Sequence, residues 1–212
     1  VMGIPMPYYD ANNGGPNTLH RNDGDFAFTD ITKEVGMDVN NRRFSLACAW
    51  EDFDNDGDQD LYVANDFGRN NLFRNDSGPE PGSRIFTDIA PEADVEDIGP
   101  GMSAAWGDYN NDGLVDLYVA NMWSNAGNRI TLLDQFLPGA TETTKKQARR
   151  HARGNSVYLN AGGGKFSDMT QSSGANMGRW AWSSNFIDLD NDGRQDLVVA
   201  NGMLTTGDTG DL

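Results

Sequence analysis

The chain is short of the residues on which most catalytic and redox sites are built. It has one cysteine and two histidines in 212 residues, and its 16 Lys and Arg are outnumbered by 32 Asp and Glu. A single cysteine, Cys48, excludes an intrachain disulfide framework and any cysteine-based zinc or redox centre. It stands in the strand-like run FSLACAWED, where it is expected to act as a buried small hydrophobe. With only His20 and His151 available, and no nucleophile-elbow pattern, a Ser–His–Asp hydrolase is not supported. No apolar run approaches the roughly 18 residues that a spanning helix needs, so membrane insertion is not expected. A formal charge of −16 repels nucleic acid and anionic lipid surfaces. The opening VMGIPMPYYDANNGGPN carries neither a basic n-region nor an apolar h-region, so no signal peptide is expected within it.

What the chain does have is concentrated acid. Residues 51–65 read EDFDNDGDQDLYVAN, and five aspartates (Asp52, Asp54, Asp56, Asp58, Asp60) fall in nine positions around Gly57. At about 5 Å and an effective dielectric near 20, each carboxylate pair repels by roughly 3 kcal/mol, so a cation is expected. The frame recurs at Asp108, Asn110, Asp112, Gly113 and Asp116, and again at Asp188, Asp190, Asp192, Gly193 and Asp196. Twelve of the 32 acidic residues lie inside the three frames, so the acidity sits where a metal would neutralise it.

Positions 1, 3, 5 and 9 of each frame, with the backbone carbonyl of position 7 (Asp58, Leu114, Arg194), form a hard oxygen set suited to Ca²⁺. About three calcium sites are expected. Glycine at position 6 permits the sharp reversal that gathers the earlier positions round one ion. An EF-hand opens in the same way, but it needs a bidentate Glu at position 12 and a helix beyond. Here position 12 is Val63, Val119 or Val199, and an aliphatic β-run follows. Calcium is plentiful outside cells, so an extracellular, cell-surface or periplasmic location is expected.

Each frame belongs to a larger repeat. An aromatic stands two residues ahead of it (Trp50, Trp106, Phe186), and LYVAN, LYVAN or LVVAN follows. Next come an asparagine-bracketed strand, NNLFRN at 70–75 and NSVYLN at 155–160, and a short aromatic strand at Phe86 or Phe166. Four short runs rich in Val, Leu, Tyr and Phe, separated by Asn, Asp and Gly, predict a four-stranded antiparallel blade, and serial blades predict an all-β propeller. The expected units are the end of one blade at 17–32, a second at 44–90, a third at 103–170 and the start of a fourth at 180–201. Such a run reads as part of a larger propeller.

The third unit is interrupted by an insertion at 122–154 that carries TETTKKQARRHARG. Thr141 is expected to cap one short helix there. Its cations Lys145, Lys146, Arg149, Arg150 and Arg153 either neutralise nearby carboxylates as a solvated lid or grip an acidic partner or the protein's own surface. Trp123, Asn125 and Asn128 in the same insertion are candidate contact residues, with packing an equal role for Trp123.

The blocks FTDIT, W-x-DFDNDGDQDLYVAN, NNLFRN, RGNSVYLNAGGGKFSDMT and the closing NGMLTTGDTGDL resemble FG-GAP/VCBS-type calcium-binding propeller repeats, the kind also found in integrin α-subunit heads. More narrowly, they are similar to the ASPIC/UnbV, cartilage acidic protein-like bacterial family. The resemblance implies a calcium-stabilised propeller, secreted or surface-exposed, with adhesive or binding roles. Members of that family are considerably longer, the ASPIC/UnbV region is absent here, and Asn110 replaces an aspartate. The leading expectation is a binding or scaffold module for a protein or glycan ligand. The alternatives are part of a propeller-based carbohydrate-active enzyme, a lyase or dehydratase, and a homo-oligomeric subunit that assembles head to tail by strand complementation.

Overall fold

The structure is a computed structural model that describes residues 4–78 and 85–202; of the closing NGMLTTGDTGDL block, residues 203–212 lie outside them. Twelve strands form four antiparallel sheets. The first is a half-blade of β1 (His20–Gly24) and β2 (Ala27–Asp30). A complete blade follows in the order β3 (Ser45–Glu51), β4 (Asp60–Asn65), β5 (Asn71–Asn75), β6 (Phe86–Asp88). The next is β7 (Gly101–Gly107), β8 (Asp116–Asn121), β9 (Ser156–Asn160), β10 (Phe166–Asp168). A final half-blade pairs β11 (Ala181–Ile187) with β12 (Asp196–Asn201). Four-stranded antiparallel units in series are the propeller-type blades that the repeat predicts.

Successive blades pack face to face, with β7 lying against both β3 and β11. That packing explains why β4 and β8 are buried at every position. Leu61 and Val63 enter a cluster with Ile31, Val35, Phe73 and Phe86 on one side. Tyr62, between them in sequence, points the other way into a cluster with Phe53, Leu72, Leu117, Tyr158 and Phe166. Alternation is therefore real but invisible as polarity, because both faces meet apolar neighbours. Phe53 stacks on Trp106 at 6.1 Å between ring centres, which ties an acidic loop of one blade to the aromatic ahead of the next loop.

The asparagine brackets close the turn after each central strand. The Asn65 amide donates to Asn70 Oδ1 at 2.8 Å, and the Asn121 amide donates to Asn155 Oδ1 at 2.7 Å. The first bond spans a tight turn, whereas the second closes over the whole insertion. That insertion therefore leaves the blade undisturbed.

Cys48, expected to be buried, is exposed. Its strand β3 is the innermost of its blade, and the half-blade beside it supplies only an outer pair, so nothing covers that face among the described residues. The expectation of one short helix is also too small. The insertion holds α2 (Asn125–Ile130) and α3 (Glu142–Ala152), and single turns α1 (Ala90–Ala93) and α4 (Thr170–Ser173) follow β6 and β10. The single turns are too short to leave a periodic signal. They end on left-handed residues, Asp94 at φ 63° and Gly174 at φ 70°. As expected, Thr141 caps α3, accepting a hydrogen bond from the Thr144 amide.

Candidate metal centre

Each acidic frame becomes the turn between the first two strands of a blade. The reversal needs left-handed backbone at positions 4 and 6: Asn55, Asn111 and Asn191 have φ near 60°, and Gly57, Gly113 and Gly193 lie between 84° and 95°. Asparagine and glycine are the residues that tolerate this region best.

The first aspartate organises the loop. Asp52 accepts from the amides of Asp56 (3.1 Å) and Gly57 (2.9 Å). Asp108 repeats this with Asp112 and Gly113, and Asp188 repeats it with Asp192 and Gly193. Position 5 turns back to the position 7 amide, as Asp56 to Asp58, Asp112 to Leu114 and Asp192 to Arg194, at 2.8–2.9 Å. The ninth aspartate anchors the loop to the blade. Asp60 accepts from the amides of Phe53 and Asn75, and Asp116 from those of Tyr109 and Asn160. Asp196 accepts from the Leu189 amide.

Positions 1, 3 and 9 converge. Oxygens of Asp52, Asp54 and Asp60 lie within 4.8 Å of one another, as do those of Asp188, Asp190 and Asp196. Asp54 Oδ1 is buried and has no hydrogen-bond partner, so one oxygen of the first set is aimed where no protein donor reaches it. Among the described residues the carboxylates of Asp108, Asp112 and Asp116 form no such group. There Asn110 Nδ2 donates to Asp112 Oδ2 at 2.9 Å, so an internal amide meets a charge that the other loops leave to a cation.

Electrostatics agree with a site built for a cation. Burial pushes Asp60 up to about 7, helped by the charges of Asp54 and Asp56 against the donors from Asn75 and Phe53. Burial raises Asp116 to about 6 and also raises Asp54, to which the neighbouring Asp56 and Asp52 add repulsion. A hard divalent cation would remove these penalties, and an all-oxygen donor set suits calcium. The residues therefore fit the ion that the frame implies, with the first and third loops best prepared. In these loops Asp52, Asp54 and Asp60, and Asp188, Asp190 and Asp196, would hold it.

The loops are also joined to one another. Asn55 Nδ2 donates to the carbonyl of Gly113 at 3.3 Å, and Asn111 Nδ2 to that of Gly193 at 2.9 Å. Asn160 Nδ2 bridges the carbonyls of Phe53 and Val115, at 2.8 and 3.0 Å, and so holds two acidic loops at once.

Residues 52–119 and 148–199, which contain the three frames, match the FG-GAP-like repeat. The chain belongs to the FG-GAP-like repeat family. It is also 27% identical over 194 residues to cartilage acidic protein 1 of Xenopus tropicalis, an alignment that takes in 90% of this chain and 26% of that protein. The chain thus spans about a quarter of the length of this relative. The repeats of this chain are β-rich, propeller-type blades.

At the opposite end of the FG-GAP blades, a second charged cluster meets the inserted helix. Asp97 is buried between the Gly99 amide (3.1 Å), Asn121 Nδ2 (3.0 Å) and the Arg150 guanidinium (3.1 Å). Burial alone would raise its pKa, but Arg150, with help from Ser156 and Asn121, outweighs that and holds it below the usual carboxylate value. Arg150 and Arg153 both reach Asp168 at 3.1 Å, and Arg150 lies over the Tyr158 ring and contacts its hydroxyl. Arg150 and Arg153 of the insertion therefore grip the protein's own surface. Sequence reasoning missed Asp97, since nothing in VEDIGPG separates it from Glu96 or Asp94 beside it.

Trp123 extends the blade, bridging to Arg153 and donating its amide to the Arg179 carbonyl at 2.7 Å. Asn128 is committed to the carbonyls of Ser124 and Ala152. His151 Nδ1 donates to the Ile98 carbonyl at 2.9 Å, and the ring packs edge-on against Tyr8. Asp66, raised by burial with its Oδ1 unpartnered and His151 acting against the shift, is the carboxylate that an enzymatic reading would have to use.

Proposed function

We propose that the chain is a calcium-stabilised, extracellular binding or scaffold module. The observation that carries this reading is the convergence of Asp52, Asp54 and Asp60 with one buried oxygen of Asp54 left without a donor. Calcium would supply the charge compensation that the acidic loops lack. The chain's own contribution is to present the oxygens, fix the loops by backbone donors and lock each loop to the next blade. The similarity to a cartilage acidic protein supports an extracellular setting, where calcium is abundant enough to fill loops of this type. No helix among the described residues is long and apolar enough to cross a membrane.

In this reading the metal loops act on stability, and recognition of a protein or glycan falls to the opposite end, where the insertion presents Lys145 and Lys146. Isothermal titration with calcium tests the metal part directly. Saturable binding that is weakened by Asp54→Ala supports the reading, and absence of heat at millimolar calcium rejects it.

A further inference from the structure

The inserted helix α3 carries more positive charge than the protein beneath it uses. Thr143, Lys146, Gln147 and Arg150 stand three and four residues apart, so they share one face of the helix, which opens on the same cavity as Ile98. With Arg149 and Arg153 they line a space of about 390 Å³. Two of its guanidiniums are already committed, Arg150 to Asp97 and Asp168, and Arg153 to Asp168, Ser156 and Thr170. The other two cations are not. Arg149 gives Nε to the Thr131 carbonyl at 3.2 Å, which leaves its two terminal nitrogens without a partner among the described residues, and Lys146 has no ion pair there. Arg153 adds a buried Nε that no acceptor meets. Two uncompensated charges therefore border a cavity whose lining includes no carboxylate.

We propose, resting on the reading of this end of the blades as the one that recognises a ligand, that the cavity binds the anionic group of an acidic glycan, a sulfate or a uronate carboxylate on a sugar ring. Lys146 and the free end of Arg149 pair with the anion, and the guanidinium fork meets two of its oxygens at once. Thr143 and Gln147, uncommitted among the described residues, can each donate and accept, which matches the hydroxyls of the same ring. A second cavity of about 220 Å³ shares Ile98, Gln147 and Arg150 with the first and adds Asp94 and Glu96. Glu96 is paired with Arg69 at 2.7 Å, and Asp94 is exposed. These carboxylates accept from neutral sugar hydroxyls but repel further negative charge. An acidic peptide charged at successive residues would meet that repulsion, and the two linings offer it only Ile98 and Pro91 as apolar contacts.

The net charge of −16 does not oppose such a ligand. The acidic loops lie at the other end of the blade, separated from α3 by the six residues of β8. That is roughly 20 Å at about 3.3 Å per residue, whereas charges beyond about 8 Å are largely screened at physiological ionic strength. The anion therefore meets the local excess of cations.

Isothermal titration with a sulfated, uronate-containing hexasaccharide, at equal millimolar calcium in cell and syringe, tests the proposal. Saturable binding is expected, weakened at least about tenfold in Lys146→Glu. Lys146 is exposed, so the circular dichroism spectrum of that variant should be unchanged. Gln147→Glu, which puts a carboxylate into the cavity, should weaken binding in the same way. The desulfated and carboxyl-reduced form of the hexasaccharide should not bind, and hexaglutamate should bind far more weakly than the sugar. No heat with the sulfated sugar, equal affinity in Lys146→Glu, or equal binding of the neutral sugar or of hexaglutamate would each overturn the proposal. Calcium titration of the same samples separates the two readings. Sugar binding absent while calcium binding is intact defeats this inference alone, whereas absent calcium binding defeats the calcium-stabilised module.

Discussion

The side-chain amide of Asn111 donates to the carbonyl of Gly193, 2.9 Å away and 82 positions later in the chain. Both residues occupy left-handed backbone in acidic loops, one at the fourth position of its frame and one at the sixth. The frame therefore does two jobs with one short sequence. Its aspartates gather oxygens, and its asparagine fastens the loop to the next one. Replacing Asn111 by Ala removes one exposed hydrogen bond and should cost about 0.5 kcal/mol. Urea unfolding in saturating calcium measures it, and calcium affinity should fall in the same variant, because the neighbouring loop loses a constraint.

Arg150 and Asp97 make a different kind of pair, with the Asp97 side chain 1% exposed. Replacing Arg150 by Met leaves that carboxylate buried without its cation. A loss of about 3–5 kcal/mol is expected, read as a lowered urea midpoint. Asp97→Asn in the Arg150→Met background should recover part of the loss, since the uncompensated charge is then gone.

Asn155 closes the turn after β8 from the far side of the insertion, and its Oδ1 accepts the buried amide of Asn121. Asn155→Ala leaves that amide unsatisfied, and the expected cost is about 1–3 kcal/mol. Hydrogen exchange should show the lost protection concentrated at β8 and at the root of the insertion.

The acidic loops give the metal-free protein an unusual pH dependence. Burial raises Asp60 to about 7 and Asp116 to about 6, both well above the usual carboxylate range. In that window the folded chain binds more protons than the unfolded chain, so stability falls as pH rises from about 4 to about 7. Melting in chelator at pH 5 and pH 7.5 should therefore show the higher midpoint at pH 5. Excess calcium competes with protons for the same oxygens, so it should raise the pH 7.5 midpoint far more than the pH 5 midpoint.

Much of this architecture was legible because the repeat carries its own punctuation. LYVAN and the asparagine brackets mark the strand ends, and DNDG and NNDG mark the turns, so the blades and the three acidic loops could be placed from spacing alone. The capped helix at Thr141 was readable for the same reason. What could not be read depended on what lies beside a residue. Cys48 looks like core, and in β7 the equivalent Ala104 is packed against the core between blades, but Cys48 faces a side with no inner strands. Asp97 looks like surface, yet Arg150 and Asn121 bring it inside. The inequality of the three loops was half visible: Asn110 stands where the other frames carry an aspartate, but only the structure shows its amide bonded to Asp112.

Thermal unfolding with and without the ion shows whether calcium completes the acidic loops. At about 100 times its dissociation constant, calcium contributes roughly 2.7 kcal/mol per site. For a chain of this size each kcal/mol moves the midpoint by about 2–4 °C. A midpoint in millimolar calcium at least about 5 °C above that in chelator is expected, with the first loop's share of the gain lost in Asp54→Ala. Equal midpoints in calcium and chelator at neutral pH would contradict it.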